Sequence, residues 1–423
     1  MNKFGKFLIT SAIVLILAIV SISALPLTNS AEDYLIVYNC DGGVNAENPN
    51  TYNMTSLPLA LSEPTRTGYQ FLGWFDENNN RMDNISRGTT GELHLTAKWT
   101  KKYSITYVLN GGTNSALNPD WFSLATASNT LISPTKQGYD FAGWFLDGKR
   151  VDSLPSHNLE NITLYAEWGS AGLDISGETL VSMGSCDAID VVVPRGVKVI
   201  ASNAFRNSKI ESVEIPETLT EIGEYAFAGS AIKTVEIPKA VETIKEHCFY
   251  NCFSLKSVTF EYGCKLSVVT RSTFENCKIL NSINLPYSVR SIKDNAFGGC
   301  KMLKQISLPS GLTYLSGFQN SGLESVVIPD TVVILDTRAF AGTKLKEVII
   351  PDSVTTVGLY VFDGCNEDLK IFCCSEKISS DWDSMWNRNS EGFNYAFYLY
   401  SASKPSTIGN YWHYASGVCA VWE

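Results

Sequence analysis

Leu323-Glu324-Ser325-Val326-Val327-Ile328-Pro329-Asp330-Thr331-Val332-Val333-Ile334-Leu335, closing on Ala339-Phe340-Ala341-Gly342, decides the fold. Leu323, Val326 and Ile328 fill the inner face of a short strand, and Pro329 ends it because proline has no N–H to give to a ladder. Val332 and Leu335 then turn inward, and Phe340 follows. The phrase recurs. Its phenylalanines are Phe205, Phe227, Phe249, Phe274, Phe297, Phe318, Phe340 and Phe362, at intervals of 21 to 25 residues. Pro216, Pro238, Pro286, Pro309 and Pro351 repeat the strand stop. A period in the twenties marks a stacked solenoid, each coil burying a face only against its neighbours. Function is then expected on a long, repetitive surface rather than in a catalytic pocket.

Working outward, a small, weakly polar column lies three residues after each phenylalanine. It holds Cys252, Cys277, Cys300 and Cys365, with Ser208, Ser230, Ser321 and Thr343 in the other copies. Cysteine in such a column acts as a compact hydrophobe, so free structural thiols are expected despite a total of eleven cysteines. The register has two faults. Most copies take 11 residues from strand end to phenylalanine, but Phe260 to Phe274 takes 14 and Pro309 to Phe318 takes 9. The longer copy carries Tyr262-Gly263-Cys264, read as a bulged loop with a local binding site as the alternative.

The block from 186 to 374 resembles the BspA-like class of leucine-rich repeat. The pattern Ile-Pro-x-Ser/Thr-Val-x-x-Ile-Gly-x-x-Ala-Phe-x-Gly-Cys is nearly complete in residues 350–365, with Val357 in place of Ile. The resemblance implies a microbial surface protein that works by recognition.

A second duplication precedes it. Tyr34–Tyr38, Gly42-Gly43, Gly68-Tyr69-Gln70-Phe71-Leu72-Gly73-Trp74-Phe75 and Leu93–Trp99 return as Tyr103–Tyr107, Gly111-Gly112, Gly138-Tyr139-Asp140-Phe141-Ala142-Gly143-Trp144-Phe145 and Leu164–Trp168. The end segments alternate as strands do, and the glycine pairs supply turns. The aromatic run is a strand whose rings cannot all face one side. These copies resemble the Listeria-Bacteroides repeat, also called the internalin B-repeat, which implies small β-grasp-like modules serving as spacers. The expected architecture is mainly β: modules at 33–100 and 101–169, a linker and N-terminal cap at 170–185, the solenoid at 186–374, and a C-terminal cap at 375–423.

At the N-terminus, Lys3 and Lys6 precede an apolar stretch from Phe7 to Ile22, and Ser23 and Ala24 follow. This reads as a secretory signal peptide within 1–31. An uncut anchor is the competing reading and the only expected tie to a membrane. Secretion or cell-surface display follows.

Chemistry is sparse. The four histidines, His94, His157, His247 and His413, form no two-histidine zinc face. Asp76-Glu77-Asn78-Asn79-Asn80 begins like a calcium loop, but the glycine and final glutamate positions hold Arg81 and Arg87. It reads as a polar hairpin turn. No catalytic residue, metal or cofactor is expected. A net charge of -10 without a long basic run excludes nucleic acid as partner. The outward strand positions, by alternation, include Glu214, Glu236, Asn284, Gln305, Val327, Ile349 and Phe372. Val327, Ile349 and Phe372 are expected either as an exposed apolar strip for a partner or as ground covered by the aromatic cap. Trp382, Trp386 and Trp412 carry an alternative, in which the tail stacks on glycans. The reading is a non-catalytic adhesion or recognition protein whose partner is a protein or glycan on a host or neighbouring cell. An accessory subunit of an extracellular enzyme is a further alternative.

Overall fold

The computed structural model describes residues 32–126, 130–157, 159–406 and 409–422. The expected signal peptide lies outside them. Every regular element among the described residues is a strand. No helix among them is long and apolar enough to cross a membrane. The chain divides into two compact units, one running to Lys102 with Ser123–Ala125, the other holding Tyr103–Phe122 and Thr126 onward.

The first unit holds the first module. Its strands are β1 (Tyr34–Asn39), β2 (Thr51–Tyr52), β3 (Leu59–Ala60), β4 (Tyr69–Phe75), β5 (Arg81–Met82), β6 (Asn84–Ile85) and β7 (Leu93–Lys101). The main sheet runs β2-β1-β7-β4-β5, with β1 and β7 parallel. The second module repeats it with β8 (Tyr103–Val108), β9 (Trp121–Phe122), β10 (Tyr139–Leu146), β11 (Lys149–Val151) and β12 (Ile162–Ser170), in the order β11-β10-β12-β8-β9.

The glycine signatures have a steric cause. The Trp99 and Trp168 indoles donate to the carbonyls of Cys40 and Leu109, each at 3.0 Å. A Cβ on Gly43 or Gly112 would lie 2.5 or 2.4 Å from the ring of Trp99 or Trp168, so only glycine fits. The strands β4 and β10 each carry a bulge, between Phe71 and Gly73 and between Phe141 and Gly143. A bulge resets the side-chain alternation. Two rings at odd spacing therefore reach one core, and Phe71 meets Trp74 at 5.7 Å and Trp99 at 5.4 Å. Asp76 to Asn80 forms the turn between β4 and β5. The Asp76 carboxylate accepts from the Asn80 side-chain amide at 2.9 Å and from the Asn80 and Asn78 backbone amides at 2.7 and 3.0 Å, which holds its pKa below the usual carboxylate value.

In the second unit the solenoid follows the module directly. Segment 170–185 contributes a hairpin, Asp174–Ser176 with Thr179–Ser182, whose second strand pairs in parallel with Val199–Ile200. The Ser170 hydroxyl accepts from the Val192 amide at 2.9 Å. From there two columns of parallel strands climb the solenoid. The first includes Asp190–Val192, Ser212–Glu214, Thr234–Ile237, Ser257–Phe260, Ser282–Ile283, Glu347–Ile350 and Lys370–Cys373. The second runs from Val199–Ile200 to Thr356–Val357, broken between Thr243–Ile244 and Val268–Val269. That break falls at the long copy. Pairing of Phe260 with Ile237 puts Glu261 in the proline place, so the excess there is two residues once the strands are aligned.

The eight phenylalanines form one stack. All are 0 or 1% exposed, and successive centroids lie 4.9 to 5.9 Å apart with nearly parallel planes. The cysteine column lies beside it. The thiols of Cys252, Cys277, Cys300 and Cys365 donate to the carbonyl of the phenylalanine one coil back, at 3.0 to 3.2 Å.

The tail extends this architecture, corrects the expectation of a sugar-stacking tail and decides between the two readings of Phe372. Trp382 bridges to Val357 in parallel. Trp386 takes the next place after Phe362, edge-on at 6.3 Å. Phe397–Tyr400 and then Tyr411–Ala415 continue the first strand column, and Val418–Val421 closes a hairpin on it. Trp382, Trp386 and Trp412 are 6, 4 and 0% exposed. They are core residues and cannot form a stacking surface for sugar, because an end coil must bury the apolar face that no further coil covers. Phe372, expected either on an exposed strip or under the cap, is buried under the cap and leaves the binding face. Tyr398 stacks on it at 5.4 Å, and Trp412 lies at 5.4 Å on another side.

Candidate interaction surface

The outward positions of the first column make the candidate surface. Alternation sends Val235, Val258, Ile283, Ile306 and Val348 into the core and their neighbours to solvent. Glu214, Glu236, Asn284, Gln305 and Val327 are exposed and Ile349 is half-buried. Val327 is 83% exposed. Such an aliphatic side chain in water contributes nothing to the fold.

These residues do not form a uniform stripe. The ladder that joins Ser257–Phe260 to Ser282–Ile283 stops there and resumes only between Glu347–Ile350 and Lys370–Cys373. Residues 305–308 and 326–328 lie between without ladder hydrogen bonds to either side. Ties remain at the rim, where the Glu324 and Ser325 amides donate to the Lys304 carbonyl at 2.8 and 3.4 Å and the Lys344 amide donates to the Leu323 carbonyl at 2.9 Å. On the same coils the second column stays fully paired, through Ser291↔Tyr314, Tyr314↔Ile334 and Ile334↔Thr356. The coils are therefore held at one column and open at the other. The opening flanks the shortest coil, the one with 9 residues from Pro309 to Phe318.

The result is a depression of about 560 Å³. Asn284, Gln305, Val327 and Ile349 all line it, together with Ser282, Ser307, Ser325 and Glu347. Glu214 and Glu236 lie outside it, on earlier coils. Its only charged lining side chain is Glu347. Neutral amides and hydroxyls cost less to desolvate than charges, and the peptide groups of residues 305–307 and 326–327 keep hydrogen-bonding capacity at the floor. Such a site favours close contact with another polypeptide over capture of an ion. Sequence reasoning found the lining residues through alternation. It missed the opening, for which the short copy was the one available signal.

No group of three or more His, Cys, Asp or Glu side chains that could hold a metal occurs among the described residues. Burial sets the direction for most of the shifted thiols; at Cys252 desolvation is outweighed by hydrogen bonds within the column, and its pKa is lowered. The buried thiols of Cys248, Cys277 and Cys300 are pushed up by desolvation, the opposite of a reactive cysteine.

Residues 183–304, 267–379 and 316–408 match the BspA type leucine rich repeat region. Residues 34–98 and 103–167 match the Listeria-Bacteroides repeat domain. Internalin H of Listeria monocytogenes is 29% identical over 151 residues, 34% of this chain and 26% of that protein. A protein of Evansella cellulosilytica with a membrane-protein name is 28% identical over 149 residues, 34% of this chain and 22% of that protein. The chain thus matches about a quarter of these relatives' length. Among solved structures, the leucine rich repeat protein of T. pallidum is 27% identical, covering 44% of this chain and 80% of its own, with a TM-score of 0.36. A leucine-rich repeat protein from Bacteroides ovatus is 26% identical, covering 50% and 54%, with a TM-score of 0.36. Both repeat types are those of surface proteins, and neither is a catalytic family. With more than half of its length matched by the solenoid family, the chain belongs to the BspA type of leucine-rich repeat proteins and carries two Listeria-Bacteroides repeats ahead of its solenoid.

Proposed function

We propose that this chain is a secreted or surface-displayed adhesion protein that binds a protein on a host or neighbouring cell through the opened stretch of its strand face. The two N-terminal repeats act as a spacer, and the solenoid from 186 to 374 presents the face. No step of chemistry is required. The observation that carries the reading is the depression at residues 281–349, where three outward side chains singled out by alternation, Asn284, Gln305 and Ile349, surround a fourth, the exposed Val327. An exposed apolar group with a neutral polar surround is the composition of an interface centre.

The test uses the full chain, labelled and bound to cultured epithelial cells, read by flow cytometry. Val327→Asp places a charge in the centre of the depression and, being at a solvent position, leaves the melting temperature unchanged. Its binding is expected to fall at least about tenfold, the loss of ~1.4 kcal/mol. Protease treatment of the cells is expected to abolish binding by the unmodified chain. Binding unaffected by Val327→Asp would move the contact elsewhere, and protease-resistant binding would remove the protein partner.

A further inference from the structure

The long copy builds a second surface feature, apart from the depression. After each strand stop, most coils place a charged or small polar residue at the surface: Glu217, Lys239, Ser310, Asp330 and Asp352. Two adjacent coils place tyrosine there, Tyr262 and Tyr287. They are 92 and 64% exposed, with ring centroids 6.5 Å apart and planes at 45°. Neither hydroxyl has a hydrogen-bond partner among the described residues. Rings exposed to this extent have no role in folding.

The backbone that carries the rings is held. The Glu261 amide donates to the Ile237 carbonyl at 2.9 Å, and the Cys264 amide donates to the Glu261 carbonyl at 3.0 Å. The Glu261 carboxylate accepts from the Lys239 amide at 2.9 Å and pairs with its ammonium at 3.3 Å. On the far side Cys264 is buried, and its carbonyl accepts from the Ser288 hydroxyl at 2.7 Å. Gly263, at φ 84°, makes the reversal between these anchors. The Tyr287 carbonyl accepts from the Arg290 guanidinium at 2.7 Å. Both backbones are thus fixed before any ligand arrives, so little ordering entropy is lost on binding.

We propose that Tyr262 and Tyr287 form a stacking platform for a neutral polysaccharide. Each phenol offers an apolar face and a polar tip. That suits a pyranose ring, with C–H groups on its face and hydroxyls around its edge. Two rings at this separation fit successive sugar residues of one chain. A protein partner fits less well, because two aromatic side chains supply at most about 500 Å², whereas a standard interface needs about 800 Å² per partner. An anionic ligand fits less well, since Lys239 and Lys265 are paired with Glu261 and Glu242 and the Arg290 guanidinium donates to the Tyr287 and Val289 carbonyls.

Native affinity electrophoresis of the full chain, with hydroxyethylcellulose, xylan or galactomannan cast into the gel, tests this. Retardation is expected with at least one of the three. The double variant Tyr262→Ala, Tyr287→Ala is expected to lose it, with apparent affinity down at least about tenfold, while Tyr262→Phe, Tyr287→Phe keeps most of it and both melt like the parent. Val327→Asp is expected to be retarded normally, which separates this site from the depression. No retardation in any gel, or retardation unchanged by the alanine pair, overturns the proposal. So does cell binding lost in the alanine pair without polysaccharide retardation, which would make the rings a protein contact.

Discussion

The buried thiol column shows what one atom does at each coil. A cysteine reaches back and gives its S–H to the phenylalanine carbonyl of the coil before, as Cys300 does to Phe274 at 3.1 Å. Serine is shorter. The Ser321 hydroxyl, in the same column, is buried without a partner. Cys300→Ser should therefore fold but lose ~1–3 kcal/mol, the cost of an unsatisfied buried hydroxyl, whereas Cys300→Lys should fail to give a cooperative melt because it buries an unpaired charge. Equal damage from both would deny the column its special role. Burial also sets a pH dependence. The Cys300 thiol is raised in the fold, first by desolvation, so the folded state favours the neutral form. Its contribution is complete below the unfolded thiol value of ~8.5 and is lost as pH rises beyond it. The melting temperature should fall above about pH 9, and less steeply in Cys300→Ser.

Single elements show how a repeat absorbs irregularity. In the shortest coil Gly317 stands directly before Phe318, at φ 98°, and a Cβ there would lie 2.5 Å from the Lys293 carbonyl. This glycine lets two residues be skipped while Phe318 keeps its place in the stack. Gly317→Ala should cost ~1–3 kcal/mol in a denaturant melt; an unchanged midpoint would mean the coil has room to relax. Much of this level was legible in advance. Phenylalanines, prolines and small residues kept in phase record which atoms face inward, because stacking demands the same answer at every coil. The tail was less legible. Phe372 fits the outward phase, yet residues 398 and 412 cover it, and contacts from outside the repeat leave no periodic trace. The tail tryptophans were visible but ambiguous, since a ring for a core and a ring for a ligand are the same residue. The opened ladder left no side-chain signature, because it is a property of peptide hydrogen bonds.

At the scale of the whole molecule, the solenoid is a one-dimensional stack whose ends must be closed. The C-terminal closure rests on Trp382, Trp386 and Trp412; Trp412 donates to the Cys373 carbonyl at 2.8 Å. A chain ending at Cys374 should elute as aggregate in size-exclusion chromatography and melt at lower temperature, since losing even one such ring costs ~3–5 kcal/mol. Monomeric elution with an unchanged melt would show that the tail is dispensable.

The uniform join between coils bears on how such proteins diversify. Every rung offers the next the same ring and the same phenylalanine carbonyl, so a tandem copying error that adds or drops one rung leaves both splices compatible. Reach can then grow or shrink in increments of one ring spacing, 4.9 to 5.9 Å, while exterior residues drift freely. A lineage built this way can change its targets without having to reinvent its scaffold.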